Sequence, residues 1–135
     1  MEIYKLEQIA ENEKINILNY KMKNNKARII TEDTSYIFMD YSRIESYAEE
    51  KSLLAEEIGH YYRDSYYYIN SDPILIDKQE YRAKKWAFKT LIPPSKILEL
   101  ANSGINSISE MAEKLDVTED LLSMAYTYYK NNNYI

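Results

Sequence analysis

Two adjacent glutamates and the chain's one histidine are the residues whose types and spacing could do chemistry. They lie in Leu53-Leu54-Ala55-Glu56-Glu57-Ile58-Gly59-His60-Tyr61-Tyr62, where Leu53, Leu54, Ile58 and Tyr61 are apolar positions of a predicted helix. Residues four apart share a helix face, so Glu56 and His60 could hold one metal ion. Glu57 stands where such helices carry the general base that deprotonates metal-bound water. Beside His60 is Gly59, one of only two glycines. Glycine inside a helix costs about 1 kcal/mol against alanine, so something there needs the space.

Spacing alone leaves plainer readings open. A lone histidine on an amphipathic helix is more often packing or surface than a ligand, and neighbouring glutamates are usually solvated. Glu57 and His60 also form a Glu-x-x-His pair, as in di-iron bundles. Such a site needs a second pair, which a chain with one histidine lacks.

The elements that must position these residues are predicted from periodicity. Residues 3–12 form a short amphipathic helix through Ile3, Leu6, Ile9 and Ala10. Residues 15–18, 27–31 and 35–39 are strands, the last two joined as an antiparallel hairpin across Glu32-Asp33-Thr34. Ser42 and Glu45 fit a capping box for a helix reaching about residue 64. Residues 65–76 are a tyrosine-rich connection broken at Pro73. The capping pattern recurs from Asp77 to Glu80, and a long helix runs from Glu80 to Leu91, stopped by Pro93 and Pro94. Further helices are expected at 95–101, from Ser107-Glu110, and from Thr118 to about Tyr129, with a fraying tail at Asn131–Asn133. The expectation is one α+β domain over 1–135. Its N-terminal helix and small antiparallel sheet occupy 1–41, the two site helices 42–93, and the C-terminal helices 94–135.

At Ala55–Tyr62 the chain resembles the active-site helix of the ImmA/IrrE family, written H-E-x-G-H, with Glu56 replacing the first histidine. A second segment, Gln79-Glu80-Tyr81-Arg82-Ala83-Lys84-Lys85-Trp86-Ala87 before Leu91-Ile92-Pro93, is similar to the family's E-x-x-A-x-x-[FW]-A helix and its proline stop. The order of elements agrees as well, over most of the chain. The resemblance implies a zinc-dependent endopeptidase, of a kind that in bacteria and mobile elements cleaves a transcriptional repressor. It implies metal ligands at Glu56, His60 and Glu80, with Glu57 as base and later proton donor.

The carboxylate at position 56 changes that chemistry. Zinc accepts carboxylate oxygen at about 2.0–2.2 Å. Two carboxylates and one neutral imidazole nevertheless cancel the charge of a divalent ion, leaving a weaker Lewis acid and a less acidic bound water. The oxygen-rich set also lowers selectivity for zinc over Mn²⁺ or Fe²⁺. The rival expectation is therefore a catalytically impaired relative that binds the same kind of protein partner without cutting it. A tyrosine of the 66–68 cluster could stabilise an oxyanion if it stood near the metal.

Composition excludes other classes. The 135 residues include no cysteine, which removes disulfides, thiolate nucleophiles and Cys-ligated metals. With no membrane-length apolar run and no secretion signal, a cytoplasmic protein is expected. A formal charge of −5 argues against a nucleic-acid coat. Ile108 through Leu122 has helix-turn-helix spacing, with a turn at Asp116–Thr118. Its second helix opens on Glu119-Asp120 and has no cation before Lys130, so a transcription regulator is the weakest reading and direct DNA binding is not expected.

Overall fold

The most apolar strand takes the centre of the sheet. In the computed structural model, which describes residues 1–63 and 72–135, β1 (Ile15–Asn19), β2 (Ala27–Thr31) and β3 (Ser35–Met39) lie in the order β1-β3-β2. Ile37 and Met39 of β3 are fully buried. β2 and β3 form the expected antiparallel hairpin, Thr31 opposite Ser35. β1 instead runs parallel to β3, with Ile17 beside Ile37, so the sheet is mixed. The connection between β1 and β2 makes this possible by carrying the chain past the end of β3. Asp40 accepts from the Met22 amide at 3.0 Å, and the Arg43 guanidinium donates to the carbonyls of Met22, Lys23 and Asn25.

One face of the sheet is covered by α1 (Ile3–Asn12) and α2 (Tyr47–Tyr62). Beyond them come α3 (Pro73–Leu91), α4 (Pro94–Asn102), α5 (Ile108–Leu115) and α6 (Glu119–Asn131). α2 is the central helix. It buries Leu54, Ala55 and Ile58, and also Lys51 and Ser52, which face the C-terminal helices. Lys51 Nζ donates to the carbonyls of Met1 and Leu115 at 3.0 and 2.9 Å, and Ser52 Oγ accepts from the Thr118 amide at 3.2 Å.

Several boundaries differ from the sequence reading. Ser42 does not cap α2, because its amide and hydroxyl both donate to the buried Asp40 carboxylate at 3.2 and 2.6 Å. The cap is Ser46, whose hydroxyl accepts from the Glu49 amide, while Glu49 reaches back to the Glu45 amide at 2.9 Å. α3 starts at Pro73, not near Glu80. Proline is at home in a first turn, where its missing N–H would have no partner, and Asp72 caps the Ile74 amide at 2.8 Å. Asp77–Glu80 is thus interior helix. The tail folds back on α6. Asn133 adopts a left-handed φ of 61°, the Tyr134 amide donates to Tyr129 at 2.8 Å, and the Tyr134 ring packs on Tyr128 and Tyr129. Among the described residues no helix is long and apolar enough to cross a membrane.

Candidate active site

Gly59 sets the distance between the two helices that carry the expected site. A Cβ built on it would run into the Ala83 carbonyl oxygen and lie 3.0 and 3.1 Å from the Ala83 C and Cα. The glycine therefore serves a helix contact too close for any side chain. That approach brings His60, the next residue of α2, to the side of α3 carrying Glu80. His60 Nε2 stands 3.3 Å from Glu80 Oε1, with the imidazole buried and the carboxylate about a third exposed.

Glu57 points to the sheet. Its Oε2 accepts from the Ile29 amide of β2 at 2.8 Å. Burial pushes its carboxyl above the usual range, against the opposing pull of His60 and of that amide. Glu56 is pushed up to about 7, first by burial. The charge of Lys84 opposes the rise, Glu57 and Glu80 add to it, and His60 opposes it. Near neutral pH Glu56 is thus divided between acid and carboxylate, unlike an ordinary solvated glutamate.

The sequence pointed to Glu56, Glu57, His60 and Glu80, and the structure joins His60 directly to Glu80. It assigns Glu57 to a sheet amide, which sequence spacing could not reveal because the partner is a backbone group 28 residues away. Lys84 was also missed. Its signal was available, since it lies four residues after Glu80 on the same helix face. The tyrosines at 66–68 lie outside the described residues. A groove of about 540 Å³ between α3 and α6, lined by Tyr81, Lys85, Met124 and Tyr128 among others, contains none of the four candidate residues.

Residues 10–126 match the family model described as the IrrE N-terminal-like domain. The chain belongs to that family. No curated protein and no solved structure matches it. The match spans both site helices of this IrrE N-terminal-like domain and makes it a metallopeptidase-like protein. Peptidases of the family generally depend on zinc. The donors here do not fit that ion as they are placed. Among the described residues no three His, Asp or Glu side chains converge as ligands. His60 and Glu80 meet, but position 56 offers a carboxyl group rather than an imidazole to complete a set of three.

Proposed function

We propose that this IrrE N-terminal-like domain holds a protein partner on the family scaffold without hydrolysing it. The observation that carries this reading is the state of the four site residues. Glu56 is a half-buried carboxyl that desolvation biases toward its protonated form, and the remaining groups are engaged with each other or with the sheet. A transcriptional repressor is the partner class that the family resemblance suggests. The second reading is a working metal-dependent endopeptidase with Glu57 as base. The 3.3 Å approach of His60 to Glu80 supports it, because two of the expected ligands already meet.

Zinc content and cleavage of a fluorescent casein separate the two readings. The wild-type protein is expected to hold zinc well below one ion per chain and to leave casein intact. Glu56→His, which restores the family's first imidazole beside a formed His60–Glu80 pair, is expected to gain zinc. Zinc-dependent cleavage by the wild type that disappears in Glu57→Gln would overturn the binding-only reading.

A further inference from the structure

The sheet has a second face, and among the described residues no helix packs over it. Alternation along the strands puts Leu18 beside Phe38 and Arg28, and Tyr36 beside Ile30, all pointing away from α1 and α2. Leu18, Ile30 and Tyr36 are 43%, 41% and 37% exposed, and Tyr20 is 59% exposed. The rings run together: Tyr20 lies 5.2 Å from Phe38, and Phe38 lies 6.2 Å from Tyr36 at an interplanar angle of 12°. A contiguous patch of this kind is unusual on a surface that stays wet, because a sheet face is ordinarily buried against another element.

Charge identifies what would cover it. From Lys14 to Thr31 the chain has five cations, Lys14, Lys21, Lys23, Lys26 and Arg28, and no carboxylate. Those five taken from 17 leave 12 cations against 22 carboxylates in the rest of the protein, a local reversal of its overall sign. Lys26 is paired with Glu49 at 3.0 Å. Arg28 projects from the apolar face itself, since its register partner is Phe38. An apolar centre with aromatic rings and an arginine, on strands joined by a connection that carries Lys21 and Lys23, has the anatomy of a protein interface.

We propose that this face docks an acidic amphipathic helix of a partner protein. The apolar stripe of the helix would lie on Leu18, Ile30, Tyr36 and Phe38, with its carboxylates toward Arg28, Lys21 and Lys23. The proposal rests on the reading of the domain as a holder of a protein partner, and it places the holding surface on the side of the sheet away from α1 and α2.

The test titrates the ¹⁵N-labelled protein with a synthetic helix-forming peptide of leucines on one face and glutamates on the other. Expected are saturable shifts confined to β1, β2 and β3, weaker binding at higher salt, and an affinity loss of about tenfold in Arg28→Glu. A Tyr36→Ser variant, at an exposed position that leaves the core intact, is expected to weaken binding as well. Absence of binding, or shifts centred on His60 or on the α3–α6 groove, would overturn the proposal. So would binding at this face by a 12-nucleotide oligothymidylate in preference to the peptide, or dimerisation through it in sedimentation. Casein cleavage in the separate assay would sink the binding-only reading while leaving this surface to stand or fall on the titration.

Discussion

The backbone of Ala83 fills the space that a side chain on Gly59 would need. α2 and α3 consequently lie close enough for His60 to reach Glu80. Gly59→Ala should gain helix propensity of about 1 kcal/mol but meet a carbonyl that cannot step aside, an overpacking cost of about 1–3 kcal/mol, for a net loss of up to about 2 kcal/mol. Thermal unfolding measures this. A more stable variant would show that the helices tolerate separation.

Glu56 gives the protein a pH-dependent weakness. Its folded pKa of about 7 lies above the ordinary glutamate value of 4.5, so the folded state favours the proton. The favourable contribution is fully present below pH 4.5 and is lost as pH rises through about 7. Glu56→Gln should stabilise the protein at pH 8 by about 1–2 kcal/mol, less than the full shift because part of the side chain meets water, and should change little at pH 4. Urea unfolding at the two pH values checks the difference. Equal effects at both would place Glu56 in ordinary solvent.

Tyr129 is buried with its hydroxyl donating to the Ile92 carbonyl at 2.7 Å. Tyr129→Phe removes that donor and should cost about 1 kcal/mol. Burial also pushes the phenol up to about 12 from 10, so its contribution is whole below pH 10 and is lost as pH rises through about 12. The wild type should therefore unfold in alkali more steeply than the phenylalanine variant, as followed by circular dichroism.

The two serines before α2 are separable by mutation. Ser46→Ala removes the cap on the Glu49 amide and should cost about 1 kcal/mol through the helix start. Ser42→Ala loosens the Asp40 turn instead, so hydrogen exchange should quicken near Met22 and leave the first turn of α2 protected.

The contrast between those serines shows what the sequence could and could not disclose. Strand and helix periods were plain in Ile15–Leu18, Ala27–Thr31 and Leu53–Tyr61, because burial on one face imposes them locally. Ser42-x-x-Glu45 and Ser46-x-x-Glu49 are both capping patterns, and the buried Asp40 decides between them by taking Ser42 for itself. Pro73 looked like a break because proline ends helices, yet it also begins them. The parallel pairing of β1 with β3 was hidden for a different reason: it depends on Asp40 and Arg43 gripping a distant loop. At the site, the identity and spacing of Glu56, Glu57, His60 and Glu80 were readable. The hydrogen bond from Ile29 to Glu57 required the fold.

Lys51 and Ser52 give α5 and α6 little independence. One ammonium ties the Met1 carbonyl to the Leu115 carbonyl, and the neighbouring hydroxyl holds the first amide after the α5–α6 corner. The beginning, middle and last third of the chain thus share a knot of hydrogen bonds around a single turn of α2. These bonds moor the helix pair to α2. The pair's amides should exchange with solvent only when the whole protein opens.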